Sequence, residues 1–147
     1  MDAASPTDTM CLSGWGRYPA VESRVARPEK RDALQAVLEG DDQPVIARGA
    51  GRSYGDAALL NSGGATVLTD RLNRMLAFDP DTGVLRAEAG VRLREILEVF
   101  VPRGWFLPVT PGTKEVTLGG AVAFDIHGKN HHRDGGISNF VREIELL

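Results

Sequence analysis

The 147 residues are about one domain's worth, and 42% hydrophobic with 25% charged side chains is a globular composition, which excludes a large multidomain machine and a disordered chain. Seventeen basic against twenty acidic groups leave a formal charge of −3, so no global field draws the chain to nucleic acid. The single cysteine, Cys11, can form neither an internal disulfide nor a thiolate-rich metal site, and a reducing cytoplasm suits such a chain.

No apolar run approaches the roughly 18 residues of a membrane span, and the first residues lack the basic-then-apolar order of a secretory leader, which leaves peripheral membrane attachment open. Residues 1–13 are small and polar around Pro6 and are expected to form a loose leader ahead of a domain over 14–147. Ala33, Leu34, Val37 and Leu38 recur at helical spacing and predict a helix over 28–39, with Pro28 in its first turn and Gly40 at its stop. Short strands are expected over 44–47, 66–69, 75–78 and 84–89. The last two are joined by Asp79-Pro-Asp-Thr-Gly83, which suits an antiparallel hairpin turn. Leu93, Ile96, Leu97 and Phe100 mark a second helix over 91–100, ended by Pro102. Over 141–147, Ile144 and Leu146 alternate with Glu143 and Glu145, a half-buried strand on which the chain stops; the expectation is a truncated domain. Helices packed on small mixed sheets make the fold class α+β.

Twelve of the seventeen glycines fall within residues 49–64 and 104–136. The first window, Ala47-Arg-Gly-Ala-Gly-Arg-Ser-Tyr-Gly-Asp56, follows an expected strand and reads either as a tight turn or as a nest of N–H groups that a ligand anion approaches closely. A side chain at Gly51 is expected to block that approach. Gly49, Gly51 and Gly55 are one residue too widely spaced for the dinucleotide fingerprint, and Gly128-Lys129 followed by Asn130 is not a P-loop. In the second window Thr117 is placed to cap a short helix beginning near Gly119. Gly119-Gly120 then either opens that helix N-terminus to a phosphate or lets the helix pack closely on a sheet.

His127, His131 and His132 lie within six residues, beside Lys129 and Asn130. The i, i+4 pair invites a metal, but the segment has no Glu-x-x-His arrangement and no cysteine, so no metal is expected. Surface histidines of no consequence are the plain alternative.

Taken in order, Leu12-Ser-Gly-Trp-Gly-Arg17, the 47–56 loop, Pro111-Gly-Thr113, Thr117-Leu-Gly-Gly120 and Asp125-Ile-His-Gly-Lys-Asn-His-His132 resemble the vanillyl-alcohol-oxidase-like, PCMH-type FAD-linked oxidases over about residues 12–147. The resemblance implies the N-terminal part of such a FAD-binding domain, with the substrate domain absent from this chain. Ala47, Arg48, Gly49, Ala50, Gly51, Arg52, Ser53, Tyr54, Gly55 and Asp56 would wrap the FAD pyrophosphate. Gly112, Thr113, Thr117, Leu118, Gly119 and Gly120 would form the opposing wall. Phe124, Ile126, His127, Gly128, Lys129 and Asn130 would sit near the flavin and its ribityl chain, His127 being the flavin-adjacent polar group.

The activity implied is oxidation of a secondary alcohol of a sugar or polyol, free or lipid-linked, by hydride transfer to flavin N5. A cytoplasmic protein, peripheral at the membrane, with a partner reductase for the keto product, goes with it. The rivals are an aldonolactone or alditol oxidase using oxygen, and a noncatalytic anion-binding module. Two departures stand out. Arg52-Ser53 occupies the place where many relatives carry a flavin-linking histidine, implying noncovalent FAD, and the bulky Phe124 precedes Asp125 where relatives carry a small residue.

Overall fold

The computed structural model describes residues 8–40, 43–61 and 63–147, and the chain divides into two compact units, Met1–Leu72 and Asn73–Leu147. In the first, β1 (Asp8–Ser13), β2 (Ala20–Ala26), β3 (Val45–Arg48) and β4 (Ala65–Leu68) form a sheet in the order β1-β2-β4-β3. β1 and β2 are antiparallel, while β2 and β3 flank β4 in parallel, with Val25 and Ile46 on either side of Thr66. Its central place buries every residue of β4. Helix α1 (Arg31–Gly40) lays Leu34 and Val37 on Ala26 and Val67. Side chains alternate across the sheet, so Val25 and Leu68 point to the other face, where Leu12 and Leu59 join them.

β3 and β4 are parallel neighbours, a pairing that needs a long crossover. Residues 49–64, the first glycine window, make that crossing without a helix among the described residues, and Leu59 of this loop covers the face opposite α1.

The expected leader is corrected over residues 8–13, which form β1; residues 1–7 lie outside the described residues. Leu12 is buried there, and an edge strand tolerates the polar Asp8, Thr9 and Ser13 beside it. β2 was not expected: Val21, Ser23 and Val25 alternate with Glu22 and Arg24, and the polar residues masked that pattern. α1 starts after Pro28, because its first helical bond runs from Leu34 N to Lys30 O at 3.0 Å.

In the second unit, β5 (Met75–Asp79) and β6 (Val84–Ala87) form the expected antiparallel hairpin. The Asp79 carboxylate accepts from Asp81 N at 2.9 Å and from Thr82 Oγ1 at 2.6 Å, and Gly83 takes φ 72°. A Cβ on Gly83 would stand 2.3 Å from the Trp105 ring. Helix α2 (Leu93–Phe100) ends before Pro102, and a 3₁₀ turn over Val101–Arg103 carries on from it. Val91, Leu93, Ile96 and Phe100 are the core of this unit, packed on Met75, Phe78, Leu85 and Trp105. Phe78 lies 4.3 Å from Phe100 and 5.5 Å from Trp105 between ring centroids.

Helix α3 (Leu118–Ala123) closes with Ile126 N bonded to Ala121 O and Asp125 N to Val122 O, both at 3.0 Å, with Asp125 left-handed at φ 40°. The Asp125 carboxylate then accepts from Ser138 N at 2.9 Å, and Ile137 N donates to Ile126 O at 2.9 Å. These bonds clasp the base of a loop that carries α4 (His131–Asp134) and leads into a 3₁₀ turn, Ile137–Phe140. A Cβ on Gly136 would meet the Asp125 carboxylate at 2.4 Å, so the clasp needs glycine there. The strand expected over 141–147 does not form, because no described segment pairs with it, and Ile144 and Leu146 stay exposed.

Phe100→Ala should lower the unfolding free energy by about 3–5 kcal/mol, read as a fall in the denaturant midpoint. Bonds from Ser138, backbone first, hold the Asp125 carboxyl below its ordinary value of 3.8, with His127 adding a smaller pull. A depressed acid stabilises the fold above its unfolded-chain value, and that contribution is lost as pH falls through the folded value. Asp125→Asn should therefore flatten the fall of thermal midpoint below about pH 4, and an unchanged slope would show the clasp carries no charge-dependent stability.

Candidate functional site

β3 ends at Arg48, and the chain leaves the sheet there as the loop opening on Gly49. The Arg48 side chain is 9% exposed and turns inward, Nη2 donating to Ser13 O at 2.6 Å and Nη1 to Ala58 O at 3.2 Å. Burial pulls its pKa down from the ordinary arginine value. Gly51, at φ 62°, passes over this guanidinium, and a Cβ there would stand 2.3 Å from Arg48 Nη2. A side chain at Gly51 would therefore press on the Arg48 guanidinium beneath it as well as stand at the loop surface. The turn after β1 holds the loop from another side: Trp15 N donates to Ser53 O at 2.9 Å, and a Cβ on Gly14 would strike Gly55 O at 2.4 Å. Arg52 lies over the Trp15 ring, 5.3 Å from its centroid, and Tyr54 is exposed.

Among the described residues, no protein group accepts a hydrogen bond from the backbone N–H of residues 50–55. Consecutive N–H groups of this kind, two of them on left-handed glycines, are chemically able to meet an anion. Ala47, Gly49 and Asp56 flank it, and Asp56 O accepts from Leu59 N at 2.8 Å.

The second window is built differently. Thr117 caps α3 as expected, its hydroxyl accepting from Gly120 N at 3.3 Å. Leu118 N donates to Val91 O at 2.7 Å and Gly119 N to Ala89 O at 2.8 Å. The first-turn donors of α3 are therefore occupied, so of the two readings of Gly119-Gly120 these contacts carry the close packing. A Cβ on Gly119 would stand 2.8 Å from the Ala89 Cβ, so this glycine serves close packing. Leu118 and Ile126 pack against the core of the unit. Gly112 has open space where a Cβ would be, Thr113 Oγ1 accepts from Glu115 N at 3.2 Å, and Phe124 is exposed at the end of α3.

In the clasped loop, a Cβ on Gly128 would meet Thr110 O at 2.8 Å, and Asn130 Nδ2 reaches Pro108 O at 3.1 Å and Asp134 Oδ2 at 2.7 Å. These contacts leave His127, Lys129, His131 and His132 exposed. The His127 and His131 rings are 4.9 Å apart, and both Nδ1 atoms face Gly128 O, at 3.4 and 3.3 Å. No group of three side chains among the described residues is arranged to hold a metal ion. Ser13, Gly14, Trp15 and Ala58 shape the first loop and Asp125 the second, roles that spacing alone did not assign. The motif over 12–17 was the available signal for the first of these.

Residues 23–147 match the family described as FAD binding domain. Over 146 residues the chain is 44% identical to decaprenylphosphoryl-beta-D-ribose oxidase of Mycolicibacterium smegmatis, covering 97% of this chain and 32% of that protein. It is 26% identical over 140 residues to a D-lactate dehydrogenase of Anaerostipes hadrus, covering 95% of this chain and 29% of the relative. The chain thus spans about a third of the length of these curated relatives. The crystal structure of cholesterol oxidase from Brevibacterium sterolicum shares the fold at a TM-score of 0.69 and 17% identity, over 82% of this chain and 24% of that one. A match over most of the chain leaves one assignment: the chain belongs to the FAD binding domain family.

Proposed function

We propose that the chain is the FAD-holding part of a flavin-dependent oxidoreductase that oxidises a secondary alcohol of a sugar or polyol. The observation that carries this reading is the run of N–H groups over residues 50–55 that meet no protein acceptor among the described residues, a donor set that fits a diphosphate and needs no P-loop lysine. The 44% identity with a decaprenylphosphoryl-ribose oxidase supports a lipid-linked sugar as substrate.

Bound FAD supplies the hydride acceptor. The chain's own share is binding and orientation. Residues 47–56 meet the diphosphate through the main chain, with Arg52 adding a cation at the rim. Gly112, Thr113, Thr117, Gly119 and Gly120 contribute shape rather than N–H donors of the helix start. His127, Gly128, Lys129 and Asn130 serve the flavin and ribityl end, His127 as a polar contact. Residues 47–57 contain no histidine, which supports noncovalent attachment. No residue of this chain is assigned to take the alcohol proton.

No helix among the described residues is long and apolar enough to cross a membrane. A lipid-linked substrate calls for a protein peripheral to a membrane on its cytoplasmic side, and the ketone product for a reductase that consumes it.

The full-length protein should purify yellow, release its flavin to the supernatant on acid precipitation, and have its flavin absorbance bleached by a secondary-alcohol sugar. Colourless protein would favour a noncatalytic module, flavin retained by the precipitate would refute noncovalent attachment, and stoichiometric hydrogen peroxide during turnover would favour an aldonolactone or alditol oxidase.

A further inference from the structure

We propose that Arg48 is a positioning residue: its guanidinium bridges the end of β1 and the middle of the β3–β4 crossover and so holds the N–H groups of residues 50–55 in the form that receives a diphosphate. The proposal rests on the cofactor reading above and adds how the loop is shaped.

A crossover of this length without a helix has no ladder to fix it, and among the described residues the N–H groups of residues 50–55 meet no protein acceptor. What fixes it lies beneath. Arg48 Nη2 takes Ser13 O and Nη1 takes Ala58 O, two carbonyls far apart in the chain joined by one planar group. Arg48 itself is anchored by the sheet, opposite Leu68 in the β3–β4 register, and its carbonyl accepts from Thr69 N at 3.0 Å. Gly51 lies against the guanidinium with no room for a Cβ, so the position of the side chain sets the height of the loop at its first left-handed residue. No carboxylate among the described residues pairs with Arg48, so both bonded partners are loop or turn carbonyls. A guanidinium fork satisfies two such acceptors in fixed geometry, whereas lysine is a point charge on a flexible stem. Arg48→Lys thus keeps the charge and removes the bridge.

The test compares wild type and Arg48→Lys as full-length protein, reading amide hydrogen exchange without FAD and then FAD affinity. Without FAD, the bonded amides Trp15 and Leu59, which pin the loop, should exchange about tenfold faster or more, while Val67 in the central strand stays unchanged. FAD affinity should fall about tenfold or more, the scale of one lost charge-assisted hydrogen bond. Unchanged exchange at Trp15 and Leu59 would overturn the positioning role by itself. Faster exchange with unchanged FAD affinity would overturn it together with the loop's assignment to the cofactor. Should Arg48→Lys fail to fold, Gly51→Ala presses on the same guanidinium from above and should loosen the same two amides; if it leaves them unchanged, the proposal fails.

Discussion

The parallel pairing of β3 with β4 is the constraint on which the first unit turns. Parallel neighbours cannot be joined by a tight turn, so the chain must travel from the end of one strand to the start of the other, and here it does so as a glycine-rich loop. Leu59 gives the loop a hydrophobic foothold on the sheet, and Arg48 gives it a polar one. Between these footholds the N–H groups of residues 50–55 meet no protein acceptor among the described residues. The contacts that let the crossing exist without a helix are thus the same ones that leave the donors on which our proposed diphosphate site draws.

The two glycine windows look alike in composition and differ in physics. In the first, Gly51 and Gly55 adopt left-handed conformations within a run of free N–H groups. In the second, Gly119 gives up its Cβ so that α3 can press on Ala89, and the donors of the helix start are spent on Ala89, Val91 and Thr117. The exposed groups of the second unit lie further on, in the loop that Asp125 clasps through Ser138. A helix N-terminus attracts phosphate only while its donors are unoccupied.

Much of this was legible in the residues. Apolar spacing located α1, α2 and the β5–β6 hairpin, and Thr117 announced the start of α3. β1 escaped notice because an edge strand needs only Leu12 on its buried side, and its other residues read as a polar leader. The alternation over 141–147 misled for the opposite reason, since a strand is made by its partner and none of the described segments supplies one. At the site, the ordered motifs pointed to the right family, while the direction of each side chain was hidden. The structure turns Arg48 inward onto the Ser13 and Ala58 carbonyls and packs Leu118 and Ile126, partly buried, against the core of the second unit. Such placements depend on register and on which carbonyls lie within reach, and spacing along one chain encodes neither.

Amide exchange across residues 50–55 of the full-length protein, with and without FAD, tests most directly whether this loop receives the diphosphate. With no protein acceptor these amides should exchange fast in the FAD-free protein and become strongly protected when FAD is bound, but not when riboflavin, which lacks the diphosphate, is supplied instead. Saturating FAD that leaves their exchange unchanged would contradict the assignment of the loop.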